Sequence, residues 1–527
     1  MRLRILSAGT AAVLLRYGSD DLFYFTVVAA NIAAGKGVSF DGEHPTSGIQ
    51  PLFAFLLVPF APLFRNDPEL ALRIDLVLVT LLTLAAGLLI PGTVERLLAA
   101  RAPRGDPDAA RRIGILAGCL WMLHPRVLDA TFEGTEGALA GLCLVLSLRA
   151  FSRDDGSPSR QRILGAALGA GMLARVDGAL VLVFYALSPP PGTASRLRRA
   201  LRVSGIAALI FIPWLLFAWK TTGSFTPDSA AVKRVGGERI FALRLGAPLR
   251  EFHGGEHPLP RAERFFSDLG GAVALQLFRG GGKFSRASFV CGLGAAALVL
   301  LAARLRPGRR VFENLRSVAA AGAPLLFAAF ALIPIYGLTL YKMRMWYFVP
   351  SFLGLTLLSA AFACDGAEAL ELLLPAAGRL ALPGLSALWL LTVWLEETGT
   401  PPERFAPSYI AAAGRAVALT PEGARVGAFN AGVLSAWLTP TGRRVVNLDG
   451  VVNHSAAEAR REFRLRSYIR DERLDAIVDY VPSVEFFERT AGPGLMDDLA
   501  LVESVPVDSS PGTSIGIYRV RGRDAKR

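Results

Sequence analysis

Apolar runs and arginine clusters alternate along most of this chain, and the alternation is the strongest constraint on how it folds. Runs at 70–94, 113–130, 137–150, 163–174, 177–189, 203–219, 286–303, 318–340, 346–363 and 380–395 are rich in Leu, Ala and Val. Arginines gather between them: Arg2 and Arg4, Arg96 to Arg112, Arg149 to Arg162, Arg196 to Arg202, and Arg304 to Arg316. With 52% hydrophobic and 19% charged residues among 527, the chain carries more apolar surface than a soluble core of that size hides. The reading is an α-helical polytopic membrane protein. Arginine collects in cytoplasmic loops, so the clusters fix that side and account for the net charge of +13 without a nucleic-acid partner. "MRLRILSAGTAAVLLRY" adds a short first span, since no small-x-small cleavage site precedes Arg16. The total is about eleven spans, each needing roughly 20 apolar residues. An odd number puts the N-terminus in the cytoplasm and the C-terminus outside.

On this topology residues 18–69, 131–136, the turn at Arg175, 220–285 and "YKMRMW" share the outside face. "DLFYFTVVAANIAAGKG" reads as an amphipathic helix ended by Gly35 and Gly37, and "PLFAFLLVPFAPLF" as a short Pro-rich apolar helix. Both are expected along the membrane surface. The membrane domain takes residues 1–395, and 396–527 form an extracytoplasmic domain of soluble composition. There, strand-like "ARVGAF", "RRVVNL" and "DAIVDY" alternate with helix-like "NAGVLSAWL", "SAAEARREFRLRSYIRD" and "SVEFFERT", the pattern of a small, largely parallel α/β sheet. Cys119, Cys143, Cys291 and Cys364 all fall in or at the end of apolar runs, so neither disulfides nor a zinc site are expected. No P-loop and no Gly-rich dinucleotide fingerprint is present.

Adjacent carboxylates at a bilayer surface repel and lose hydration, which makes Asp20 and Asp21 the first candidates for chemistry. Helix capping by Ser19 or Asp20 is the plainer use. A second acidic feature on the same face, Glu133 and Glu136 in "ATFEGTEGALAGL", argues for a shared pocket. Such a pocket serves either a general base, its pKa raised by a neighbour, or a hard divalent cation such as Mg²⁺ or Mn²⁺ held by Asp20, Asp21 and Glu136. The residues leave both open. Cations face the same side: Arg175, Lys233, Arg234, Lys342 and Arg344, where donors grip a phosphate or, one by one, pair internally or snorkel. His44 and His124 stand alone without ligand spacing and read as turn or interface residues. "PTSGIQP" sets chain direction, and Trp346 and Tyr347 fit an interfacial aromatic belt.

Several pieces in order carry a family resemblance: "SDDLFYFTVVAANIAAGKGVSFDGEHPTSGIQPL", "FEGTEGALAGL", "LARVDGALVL", "TTGSFTPDSAAVKR", "MRMWYFVP", "VGAFNAGVLSAWL" and "VVNLDGVVN". The chain resembles the GT-C superfamily of integral-membrane glycosyltransferases, in the bacterial branch with an Rgt-like or dolichyl-phosphate-mannose-protein-mannosyltransferase-like domain. The resemblance implies a hexosyl- or pentosyltransferase that moves sugar from a polyprenyl-phosphate-linked donor to a glycan, lipid or protein acceptor. The reaction would occur at the outer face of the bacterial inner membrane. It also implies that Asp20 and Asp21 match the acidic pair of the first outside loop and Glu136 the acid of the second. Arg175, Lys233 and Arg344 then face the donor phosphate. A transporter or flippase of lipid-linked saccharides is the rival reading, and would carry ionisable groups in mid-span and repeat symmetry between halves. A scaffold whose C-terminal domain recruits partners is a third.

Overall fold

The computed structural model describes residues 19–102, 106–190, 195–245, 312–339, 344–373, 406–507 and 512–521, with positions 9, 13, 384 and 510. The expected first span, the runs at 286–303 and 380–395, Lys342 and Cys291 lie outside the described residues. The membrane part contains α1 (Asp20–Ala33), α2 (Pro51–Leu57), α3 (Pro68–Arg101), α4 (Pro107–Leu123), α5 (Pro125–Thr131), α6 (Gly137–Ser152), α7 (Pro158–Ala174), α8 (Gly178–Leu187), α9 (Arg196–Thr222), α10 (Asp228–Leu245), α11 (Glu313–Ala321), α12 (Ala323–Thr339) and α13 (Val349–Leu373). Among the described residues three helices are long and apolar enough to cross a membrane, 68–101, 196–222 and the stretch 346–371; a fourth results if α11 and α12, bent by 78°, count as one. The run expected as one span at 113–130 is two helices. Pro125 lacks the N–H that would continue α4, and His124 before it is extended.

Small residues let the spans approach. A Cβ on Gly118 of α4 would stand 2.8 Å from the Gly87 carbonyl oxygen of α3, and one on Gly165 of α7 would stand 2.7 Å from the Val203 carbonyl oxygen of α9. The described arginine clusters gather at one end of this bundle, as the alternation requires. Arg199 on α9 is buried against Asp154, at 2.7 Å, and donates to the carbonyls of Tyr185 and Ala186 at the end of α8. Arg101 lies 3.9 Å over the Phe151 ring. Arg112 pairs with Glu368 of α13 at 3.1 Å, and Asn314 of α11 bonds the same carboxylate. Cys119, Cys143 and Cys364 are free thiols.

Helix α1 departs from expectation. It does not lie on the surface with one wet face: Leu22 through Phe25, Val28 and Ala29 are all buried. The C-terminal unit covers the face that the bilayer surface was expected to leave open, with Trp437 edge-on to Phe23 at 5.3 Å. That unit runs α14 (Ala406–Leu419), β1 (Arg425–Ala428), α15 (Gly432–Leu438), β2 (Arg444–Asn447), α16 (His454–Arg461), α17 (Leu465–Asp471), β3 (Ala476–Tyr480), α18 (Val481–Ala491), β4 (Leu499–Pro506) and β5 (Ser514–Val520). Its sheet has the order β2-β1-β3-β5-β4, with β2, β1 and β3 parallel and β5 and β4 antiparallel. The long helix expected over "SAAEARREFRLRSYIRD" breaks at Phe463, whose φ of +58° no helix accommodates.

The two ion pairs at the arginine-rich end should differ in worth. Asp154→Ala strands a buried guanidinium and is expected to destabilise the protein by about 3–5 kcal/mol. Glu368→Ala, between half-exposed partners, should cost less than about 1 kcal/mol. Thermal melting of both variants in one detergent measures the difference, and equal losses would contradict the burial of Arg199.

Candidate functional site

At the opposite end of the bundle, the segments expected to share the outside face come together. Ser19, not Asp20, caps α1: its Oγ accepts from the Leu22 amide at 3.3 Å and donates to the Glu133 carbonyl at 2.6 Å, tying α1 to the acidic loop 131–136. Asp20 is thereby free of capping, and its Oδ1 accepts instead from the Val433 amide of α15 at 2.8 Å. Asp20 keeps some exposure as a residue while its carboxyl is enclosed at the seam. Burial, with the charge of Asp21 adding to it, pushes that carboxyl up to about 7 against the pull of the Val433 amide. Asp21 is half-buried and makes no hydrogen bond or ion pair among the described residues. The Tyr24 hydroxyl, one turn along, accepts from the Ala431 amide and donates to the Phe429 carbonyl.

The loop 429–432 that meets α1 is held from within its own domain. Asp479, fully buried at the end of β3, accepts from the amides of Phe429 at 2.5 Å and Asn430 at 2.8 Å and from the Tyr409 hydroxyl at 2.8 Å. Asp449, just past β2, has its carboxyl pushed up to about 6 by burial, and the charge of Asp21 raises it further. In the sequence, "VVNLDGVVN" gives no local sign of a role for Asp449. Asp75 of α3 is also unannounced in the sequence; its two carboxylate oxygens are buried with no hydrogen-bond partner among the described residues. Gly134 passes directly over it with φ +67°, and a Cβ there would stand 2.7 Å from Asp75 Oδ2. A lone Asp in "RIDLVLV" gives no sign of that neighbour.

Glu136 pairs with a cation. Its Oε1 accepts from Arg175 Nη1, both side chains being buried. Arg175 also meets Asp177 at 3.0 Å and the Tyr336 hydroxyl at 3.2 Å, and Tyr336 bonds Asp177 in turn. Tyr347 completes the group: its ring stacks on Tyr336 at 5.1 Å, the Arg175 guanidinium and Lys233 ammonium each lie 5.0 Å from its centroid, and Lys233 donates to its hydroxyl. Trp346 and Tyr347, expected in an interfacial aromatic belt, are buried: Leu332 and Tyr336 of α12 cluster with them. Arg344 stands 5.5 Å over Trp346 and has no carboxylate partner among the described residues. Arg234 points away, exposed beside Glu238. Below Arg175 a cavity of about 20 Å³, lined by Cys143, Ser147, Gly171, Asp177 and Gly178, has room for about one water.

"PTSGIQP" does more than turn the chain. Thr46 Oγ1 and the Ser47 amide donate to Asp228 Oδ2 at 3.2 and 2.9 Å, and His454 Nδ1 meets Asp228 Oδ1 at 2.8 Å. This knot joins the first loop, α10 and α16. His44 sits in the same seam, 2.7 Å from Asp41 and 3.0 Å from Glu472, as an interface residue. Among the described residues no three His, Cys, Asp or Glu side chains converge as metal ligands.

No protein-family model matches the chain, and no curated protein sequence does. Solved structures do. ArnT from Cupriavidus metallidurans bound to undecaprenyl phosphate matches at a TM-score of 0.53 and 14% identity, over 98% of this chain and 96% of that one. Apo ArnT matches at 0.54 and 14%, over 98% and 97%. The archaeal oligosaccharyltransferase AglB from Archaeoglobus fulgidus aligns at 0.46 and 14%, over 99% of this chain and 74% of that one. The chain has the fold of ArnT.

Proposed function

We propose that this chain is a membrane glycosyltransferase that moves a sugar from a polyprenyl-phosphate-linked donor to a cell-envelope acceptor at the outer face of the inner membrane, with inversion. One observation carries the reading: an enclosed carboxyl, Asp20, is pushed up to about 7 beside Asp21, whose charge reaches Glu136, the carboxylate that pairs with Arg175 and feels Lys233. The ArnT structure that shares the fold carries undecaprenyl phosphate, a lipid of the class that would leave in this reaction.

Asp20 takes the proton of an acceptor hydroxyl, and that oxygen attacks the anomeric carbon from the side opposite the phosphate. The bond from the anomeric carbon to the phosphate oxygen breaks, and its electron pair leaves with the lipid phosphate. Lysine and arginine neutralise the charge that develops there. Lys233 and Arg344 keep donors available, while Arg175 is saturated by two carboxylates and a phenol and orients the ring of Tyr347 between them. The alternative use of Asp20, Asp21 and Glu136 is to hold a divalent cation. Glu136 is committed to Arg175, so the base reading is preferred, and a chelator separates the two.

Four outcomes are expected. Product is defined as the envelope species whose mass signal disappears on deleting the gene and returns with the parental chain. Asp20→Asn should lose at least about a hundredfold in its formation while the protein still inserts and folds. The parental rate should fall as pH drops through about 7, because protonated Asp20 cannot accept; a flat profile from pH 5 to 9, or full activity in Asp20→Asn, removes the base. Activity that vanishes with chelator and returns with Mg²⁺ or Mn²⁺ would favour the cation reading. Lys233→Ala or Arg344→Ala should weaken binding of undecaprenyl phosphate by on the order of ten- to a hundredfold, equivalent to about 1.5–3 kcal/mol for a charge-assisted contact. Unchanged affinity in both would dissolve the phosphate cradle. Finally, a reporter that fluoresces only in the cytoplasm, fused after Arg527, should stay dark; a bright, correctly inserted fusion would reverse the orientation.

A further inference from the structure

The sheet order puts β1 between β2 and β3, so the chain leaves β1 toward one neighbour and later returns on its other side. In open parallel sheets the crevice at the carboxyl ends of two such strands is where ligands bind. Here the first turn of α1 meets the chain there. Asp20 Oδ1 accepts from the Val433 amide, 413 residues away in sequence, and Tyr24 bonds the backbone of Phe429 and Ala431. Asp479, at the end of β3, fixes the loop that presents those groups. The closest contact is at Gly432. A Cβ there would overlap the Asp20 backbone carbonyl and stand 2.9 Å from Asp20 Oδ1. Gly432 lies in α15 with φ outside the left-handed region, so the backbone itself would accept alanine. Only the nearness of Asp20 forbids a side chain.

We propose that Gly432 and the Val433 amide are positioning groups of the transfer reaction, through which the C-terminal domain orients the carboxylate of Asp20. The amide at Oδ1 holds the carboxylate in one orientation toward the acceptor. The lack of a side chain at 432 lets the two segments close to that distance. This rests on Asp20 acting as the base. The domain is then a working part of the site and not a separate recruiting module.

The test uses the full-length protein and two variants that fail in different ways. Gly432→Ala adds bulk against Asp20. Val433→Pro removes the donated N–H at a first-turn position where proline is compatible with a helix. Each is measured for melting temperature, for affinity toward undecaprenyl phosphate, and for product formation as defined above. Both should melt near the parental temperature, bind undecaprenyl phosphate within about threefold of the parent, and form product at least about tenfold more slowly, since misplacing a reacting group by an ångström costs on that order or more. Placed on Asp20→Asn, neither should lower the residual rate by more than about twofold, because groups acting through one residue are not additive. If Gly432→Ala fails to fold, Val433→Pro decides. Parental product rates in a folded variant, beside an impaired Asp20→Asn, would overturn the positioning role. A further tenfold loss in the Asp20→Asn background would overturn it too. If Asp20→Asn is itself fully active, the base reading fails first, and the outcome is distinct.

Discussion

A buried carboxylate needs donors, and Asp228 finds them only where three parts of the chain converge. Thr46 and Ser47 come from the first loop, His454 from the start of α16, and Asp228 itself opens α10. Losing one donor would leave a buried carboxylate oxygen short of a partner, at a cost of about 1–3 kcal/mol. That demand fastens the C-terminal domain over the membrane part. Arg239, further along α10, adds three backbone carbonyls from residues 460, 461 and 490 to the same joint, and Gly48 packs so tightly on the Val451 carbonyl that no side chain fits. The approach of α15 to Asp20 builds on this docking, together with the Tyr24 bonds to Phe429 and Ala431 and the packing of Trp437 on Phe23.

Electrostatics divides the cleft into two walls joined by a short loop. One wall is acidic: Asp20 and Asp449, one from each domain, both feel the charge of Asp21, which raises their affinity for protons. The other is cationic and aromatic, with Tyr347 held between Arg175 and Lys233. Ser19 and Glu133 link the walls through a single hydrogen bond at 2.6 Å. A shift of loop 131–136 would move both at once, since the same loop supplies Glu136 to Arg175.

Much of this was legible in the sequence where the signal is periodic or compositional. Arginine clusters and apolar runs led to the helices and to the set of segments that meet at each end. Three parallel strands were readable because β-branched residues cluster in "ARVGAF", "RRVVNL" and "DAIVDY". The closing hairpin β4–β5 was not, because β4 is an edge strand with Leu501 and Val502 exposed and no clean alternation. Helix α1 was misread for a tertiary reason: its apolar residues run round the whole helix, which is a buried pattern, yet the covering domain lies 400 residues on. The acidic pair and the cations were visible as residue types. That Glu136 would answer Arg175 while Asp20 would answer a backbone amide was not, because a partner 39 or 413 residues away leaves no local trace.

The separation between Asp20 and Val433 also sets an order of assembly. Synthesis at roughly 5–20 residues per second takes on the order of 20–80 s to travel from one to the other. During that interval α1 has left the ribosome with Leu22, Phe23 and Val28 uncovered and Asp20 lacking its amide. The newborn membrane domain therefore meets its lipid surroundings with half a cleft. Only when the last strands have been made and folded does Asp20 gain its amide partner, so maturation of the site is timed by the completion of the final hundred or so residues and cannot run ahead of it.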